Sequence, residues 1–256
     1  MKLIYVPAGR AREYASLAAN LYTSCAHGCL YCYAPRCLQR KRDLFHTYAS
    51  VRKNALSLFD ADCAEYAKEQ LTEPILMSFI SDPYQPDELE LRITRNALEI
   101  AAEHKVPIQI LTKGGTRAVP DFPLLAATGK QAAFACTLTV CDKAWAAKLE
   151  PPAAEPEDRL NALKAAHKAG ITTWVSFELS IDEHSVIQFI RITHPYIDLY
   201  KVGAISGDKT IPRFSMGSIA CVPETGRHAE NVTRCRELHA EVSDKCLGNT
   251  RCHESS

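Results

Sequence analysis

The chain has 256 residues, 46% of them hydrophobic, which supplies a packed core for one or two domains and is a globular, not a disordered, composition. Thirty basic and thirty acidic residues cancel, so the surface as a whole is not built to hold a polyanion, although a local basic strip is compatible with neutrality. No run approaches the roughly 18 apolar residues of a membrane helix, and residues 1–14 (MKLIYVPAGRAREY) lack the apolar stretch and cleavage site of a secretory leader. A cytoplasmic, reducing setting is expected for the eleven cysteines.

In chain order, short β-branched runs alternate with longer helical patterns. SLAANLYT leads into YTSCAHGCLYCYAPRC, residues 22–37. ASVRKNALSLFDADCAEYAKEQL follows as a helix, with Val51, Ala55, Leu58 and Phe59 at helical spacing. EPILMSFI reads as a strand, SDPYQPDE as a turn, and ELELRITRNALEIAAEHK as a helix that Asp87 can cap. VPIQILT is a strand ending in Lys-Gly-Gly, VPDFPLLAAT a short helix, and QAAFACTLTV a strand. EPEDRLNALKAAHKAG has Pro156 at its start and Gly170 at its end, the polarity expected of a helix. ITTWVSFELS, DEHSVIQFIRIT and YIDLYKVGAI complete six β/α steps. The expected fold is α/β, a partial (β/α)6 TIM-like barrel with parallel strands over residues 1–205. Residues 206–256 form an irregular C-terminal tail with one helical pattern. Chemistry in such a fold sits at the C-terminal ends of the strands.

Cys25, Cys29 and Cys32 are separated by three residues and then two. Three thiols so close are poorly explained as buried small hydrophobes. Structural zinc on Cys25, His27, Cys29 and Cys32 has suitable ligand types, but four ligands within eight residues depart from the usual paired spacing. An iron–sulfur cubane normally takes four thiolates; three leave one iron open for a substrate or cofactor.

The pattern C-x3-C-x2-C, with an aromatic before the last cysteine, resembles the radical S-adenosylmethionine (SAM) superfamily, and CAHGCLYCYAP resembles its spore photoproduct lyase-like branch. The resemblance implies a [4Fe–4S] cluster on Cys25, Cys29 and Cys32, with SAM on the open iron and reductive cleavage to a 5′-deoxyadenosyl radical that abstracts a substrate hydrogen. It also implies a reducing partner such as a flavodoxin or ferredoxin. Carried over residue by residue, it places Tyr31 beside the adenine, Ser81 and Asp82 near the SAM amino group, and Lys113 near the carboxylate. Thr137 and Ser176 supply further polar contacts, and the backbone at Val202 and Gly203 borders the adenine. His27 becomes a neighbour of the cluster and Cys37 a bystander.

Two departures set limits. The branch's hydrogen-donating cysteine, two residues before Ser-Asp, is Phe79 here, so thymine-dimer repair by that route is not expected. The tail lacks the branch's Tyr- and Lys-bearing segment and instead carries Cys221, Cys235, Cys246, Cys252 and His253 at irregular spacings, read as plain thiols against a second metal site. Branch analogy adds nucleic acid as a substrate class, with Arg36, Arg40, Lys41 and Arg42 as a phosphate-binding strip or an ordinary solvated face. Glu150 and Arg159, in LEPPAAEPEDRL, read as a helix cap and a surface ion pair. The rival to an enzyme is a zinc-stabilised binding module.

Overall fold

A computed structural model of the protein describes residues 2–178 and 183–203. The expected boundary near residue 205, the tail cysteines and His253 lie outside the described residues.

Seven strands form one sheet in chain order: β1 (Ile4–Tyr5), β2 (Leu17–Ala19), β3 (Ile75–Met77), β4 (Ile108–Thr112), β5 (Ala133–Thr137), β6 (Thr172–Glu178) and β7 (Leu199–Gly203). β2 to β7 run parallel, as the six β/α steps require, while β1 pairs antiparallel with β2 and widens the sheet by one strand. Among the described residues the order is linear, so the sheet is an open portion of a barrel.

Strand parity divides the side chains between two faces. Ile75, Met77, Ile110, Phe134, Val175 and Phe177 join a large apolar cluster with the helices. That layer includes α3 (Ala55–Lys68), α5 (Ile93–His104), α8 (Pro156–Lys168) and α9 (Glu183–Thr193). Right-handed crossovers put these helices on one face of the sheet. The opposite, inner face carries Leu76, Ala133, Ala135 and Trp174, packed with Tyr14, Phe79, Leu111 and Leu199.

The amino-terminal segment fills part of this inner face. A 3-10 turn over Gly9–Glu13 delivers Tyr14, whose hydroxyl lies 3.0 Å from Ser176 Oγ. Lys201 Nζ, from β7, donates to the carbonyls of Glu13 (3.2 Å) and Tyr14 (2.9 Å). The same ammonium lies 4.6 Å from the centre of the Tyr14 ring and 5.0 Å from that of Trp174, a favourable cation–π arrangement.

Two helix boundaries differ from the sequence expectation. Val51 is not helical: it pairs with Tyr22 in an antiparallel bridge, and α3 begins only after Asn54, which turns the chain at φ 57°. The helix expected over residues 88–105 is broken at Arg92 (φ 51°) into α4 (Glu88–Leu91) and α5. Asp87 does not cap it; its carboxylate accepts from the Ala49 amide at 2.6 Å. The cap is Glu88, which accepts from the amides of Thr94 (2.6 Å) and Arg95 (3.4 Å) in the first turn of α5, and also from the Tyr22 hydroxyl. One buried carboxyl thus ties a helix start to the strand that enters the cysteine loop.

Burial pushes the Glu88 carboxyl up to about 7, against the opposing effect of its three hydrogen bonds. The folded protein therefore holds this proton more tightly than the unfolded chain, so this group's contribution to stability falls as pH rises from about 4.5 to about 7. Glu88→Gln is expected to flatten the loss. Urea unfolding at pH 5 and 7.5 should show the parent losing about 1–3 kcal/mol more than the variant; parallel curves would sink the assignment.

Candidate active site

The cysteine loop connects β2 to α1 (Ala34–Cys37), and α2 (Arg42–Phe45) packs beside it. Cys25, Ala34 and Phe45 share a small apolar cluster with Cys32, Leu38 and Ile80, so loop and helices form one unit. Cys25 and Cys29 are buried and Cys32 is half-buried; all three are free thiols.

Side chains from α2 and the residue after it hold the loop by its backbone. Arg42 donates through Nη2 to the Cys29 carbonyl and through Nη1 to that of Cys32 (3.4 Å). His46 Nδ1 donates to the Cys25 carbonyl at 2.8 Å, and the Cys25 amide donates to Phe45 O at 3.2 Å. Each of the three cysteines therefore has its carbonyl fixed by a basic side chain. Arg40 donates to Thr23 O at 2.8 Å. Two of the four basic residues of the expected phosphate-binding strip thus engage this loop.

Two buried carboxylates anchor the loop from the sheet side. Asp82, after β3, accepts from Thr112 Oγ1 (2.5 Å) and from the amides of Tyr84 and Lys113 (both 2.8 Å), and lies 3.4 Å from His27 Nδ1. Burial raises its pKa, but the His27 ring, the Thr112 hydroxyl and the Lys113 amide hold it well below the usual carboxylate range. Arg117 Nη2 lies 3.3 Å from His27 Nε2. A guanidinium only donates, so Nε2 accepts and Nδ1 carries the hydrogen that faces Asp82. Both His27 nitrogens are thus engaged by protein, which removes His27 as a zinc ligand. Gln85 adds a further tie by accepting from the Ala26 amide at 2.8 Å.

The second anchor is Glu150, which follows α7 (Lys143–Leu149). It accepts from the Tyr31 hydroxyl and from Thr139 Oγ1 (3.1 Å), and pairs with Arg159 Nη2 at 2.5 Å. Arg159 also donates to Ala154 O and Thr137 O, both at 2.8 Å. Both partners are at most 2% exposed, so this is a buried ion pair and not the surface pair expected from sequence. Next to the loop, Leu30 N donates to Leu149 O at 2.8 Å.

Lys-Gly-Gly at the end of β4 is dictated by crowding. A Cβ on Gly114 would collide with Tyr84 and Thr112 Oγ1. Gly115 has φ +60°, and a Cβ there would meet Asp158 and Ala154. The preceding Lys113 sets its ammonium 5.7 Å from the centre of the Tyr31 ring.

The expected site residues fall into two groups. Tyr31, Asp82 and Lys113 meet the cysteine loop at the ends of β3 and β4, and Ser81 exchanges a hydrogen bond with Ser78 at 3.0 Å. Thr137, Ser176 and Gly203 lie at or near the ends of β5, β6 and β7. The Val202 side chain joins the helix-facing cluster, which leaves its backbone for an inner-face ligand. Phe79 packs edge-on to Tyr14, ring centres 6.2 Å apart. Sequence reasoning missed Arg117, although it stands one turn beyond Lys113, and missed the loop-fixing parts of Arg42 and His46.

The donor set suits an iron–sulfur cluster. Burial raises all three thiols, Cys29 to about 11 with Lys113 opposing, and the sulfurs are near enough to raise one another. Iron binding would replace these protons and supply the compensating positive charge. Among the described residues no three His, Cys, Asp or Glu side chains converge on a single ion.

Comparison with known proteins agrees with the geometry. The family model described as the Radical SAM superfamily matches residues 19–181. An uncharacterised protein of Methanocaldococcus jannaschii is 26% identical over 190 residues, covering 73% of this chain and 69% of that one. An uncharacterised protein of Mycobacterium tuberculosis is 28% identical over 159 residues, 59% of this chain and 46% of its own length. Among solved structures, a spore photoproduct lyase double mutant with bound AdoMet and dinucleoside spore photoproduct superposes with a TM-score of 0.57 at 15% identity, covering 92% of this chain and 76% of that one. Streptococcus suis SuiB bound to S-adenosylmethionine gives 0.58 at 13% identity, covering 91% and 48%. This chain spans about half the length of the mycobacterial relative and of SuiB. The family match extends from the end of β2, through the cysteine loop, past β6, and the chain belongs to the Radical SAM superfamily.

Proposed function

We propose that Cys25, Cys29 and Cys32 hold a [4Fe–4S] cluster with one iron left for SAM, and that the protein is a radical SAM enzyme acting by hydrogen abstraction. The observation that carries the reading is the loop itself: three adjacent thiols whose backbone carbonyls are each pinned by Arg42 or His46. Bound there, cluster and SAM would supply the reductive chemistry that starts hydrogen abstraction.

The chain's own residues would position and enclose that pair. Lys113 offers a cation for the SAM carboxylate. Tyr31, Ser81, Thr137 and Ser176 offer polar groups, and the backbone at Val202–Gly203 offers an edge. Asp82, committed to four protein donors, acts through His27 and Lys113 and not by direct contact. Phe79 carries no transferable sulfur-bound hydrogen, so the reaction differs from repair that relies on a cysteine donor at that position.

Anaerobic reconstitution is expected to give about four irons and four sulfides per chain, and reduction in the presence of SAM to release 5′-deoxyadenosine. Single alanine substitutions at Cys25, Cys29 or Cys32 should abolish both, whereas Cys37→Ala should retain both. A folded protein that binds stoichiometric zinc, takes up no cluster and leaves SAM intact would falsify the reading.

A further inference from the structure

β2 and β3 part after the pair Ala19–Met77. Backbone amides beyond that point lose the strand that would have accepted from them, and an amide buried without a partner is destabilising. Asn20, the residue after β2, supplies the acceptor from its side chain. Its Oδ1 accepts from the amides of Phe79 (3.0 Å) and Ile80 (3.2 Å). Its Nδ2 donates to the Tyr5 hydroxyl at 2.6 Å, and its carbonyl accepts from Arg52 Nε at 3.1 Å. Asn20 is 4% exposed. Tyr5 pairs with Ala18, and Ala18 with Leu76 of the inner cluster, so parity sets Tyr5 and Asn20 on the inner face. The two residues held by Oδ1 send their side chains to different places. Phe79 packs on Tyr14 at the inner face, whereas Ile80 joins the cluster of Cys25 and Cys32. The Phe79 carbonyl accepts from the Tyr33 hydroxyl, just past the last cysteine of the loop. One short segment is thus gripped from the sheet by Asn20 and from the cysteine loop by Tyr33, and Ser81 is the residue that follows it.

We propose that Asn20 is a positioning residue for SAM: it fixes the Phe79–Ile80 backbone and, through it, the place of Ser81. This rests on the function proposed above, in which Ser81 is one of the polar groups offered to SAM. Asn20 itself needs no contact with the ligand. A carboxamide suits the task because its oxygen accepts twice while its nitrogen is tied elsewhere. The Tyr5 hydroxyl makes that tie and so fixes which end faces the segment; the reversed amide would set its own N–H groups against those of Phe79 and Ile80. An aliphatic side chain of similar size would fill the space and leave both amides without an acceptor. A carboxylate would keep the acceptor, and the Tyr5 hydroxyl can turn to donate to it.

The test is equilibrium binding of SAM to the reconstituted, unreduced protein, measured beside iron content and urea unfolding. Asn20→Leu is expected to weaken SAM binding about tenfold, the scale of one buried hydrogen-bond acceptor lost, with iron per chain at the parental level. On reduction, the SAM concentration for half-maximal cleavage should rise by the same factor, while the rate at saturating SAM stays within about twofold. Asn20→Asp should bring SAM affinity back to within about threefold of the parent. Thr128→Val is the control for a purely structural effect. Thr128 is buried and accepts from the Ile108 amide at the opposite end of β4, so its loss should lower the unfolding midpoint and leave SAM affinity parental. Should Asn20→Leu fail to fold, Tyr5→Phe removes only the tie on Nδ2 and is expected to weaken SAM binding about threefold. Parental SAM affinity in Asn20→Leu or in Tyr5→Phe overturns the proposal. An equal loss of affinity in Thr128→Val or in Asn20→Asp overturns it as well. A parent protein that takes up no cluster, or takes it up and binds no SAM, would instead overturn the function proposed above.

Discussion

Arg159→Ala is expected to lose about 3–5 kcal/mol of stability, the cost of leaving one partner of a buried ion pair without the other. Arg159 lies between Glu150 and the carbonyls of Ala154 and Thr137, so its removal takes the charge partner from a buried carboxylate and a donor from two carbonyls at once. Burial already raises the Glu150 pKa, with the Arg159 charge opposing it. Without the guanidinium the carboxyl is driven further toward its protonated form. Neutralising it in Glu150→Gln/Arg159→Met should recover at least half of the lost stability, because no isolated charge remains. Urea unfolding followed by circular dichroism measures both. A single-variant loss under about 1 kcal/mol would show that the pair is not buried as described. The functional side of the prediction lies in Tyr31, whose hydroxyl also ends on Glu150. Conditions that displace Glu150 should loosen the loop between Cys29 and Cys32 and lower iron retention on a desalting column.

Asp82→Asn is expected to cost about 2–4 kcal/mol, since an amide offers one acceptor where the carboxylate serves several donors, and each buried donor left unpaired costs about 1–3 kcal/mol. The donors affected are the Thr112 hydroxyl, the amides of Tyr84 and Lys113, and His27. Because His27 carries the effect into the cysteine loop, the variant should also load less iron than the parent under equal reconstitution. This outcome separates two roles for Asp82. A residue that held SAM directly would keep stability and iron when changed, and would only raise the SAM concentration needed for cleavage.

How much of this was legible beforehand follows from what each signal depends on. Thiol spacing is local and chemical, so the loop could be read directly as the segment that carries the candidate site. The β/α alternation is also local, and it placed every parallel strand. The boundaries that moved, Val51 and Arg92, are set by partners outside the helices they bound: Tyr22 pulls the first into a bridge, and Glu88 caps the second from across a turn. Which face the Val202 side chain takes was not legible, because strand parity is ambiguous until neighbouring strands define the register; β6 fixes it through Phe177 opposite Val202. Glu150 and Arg159 looked like surface charges because burial is a property of the assembled loop, not of the residue types. Arg117 left no periodic mark at all.

The tie from Lys201 to residues 13 and 14 orders events in time. The ribosome releases the amino-terminal segment first and Lys201 nearly two hundred residues later. Until then the inner face lacks the contact that ties β7 to residues 13 and 14. A nascent chain can build its helix-covered side strand by strand, but its inner chamber remains unlatched through most of synthesis. Any ligand of the inner face would therefore be admitted before the latch closes or would have to wait for it to reopen.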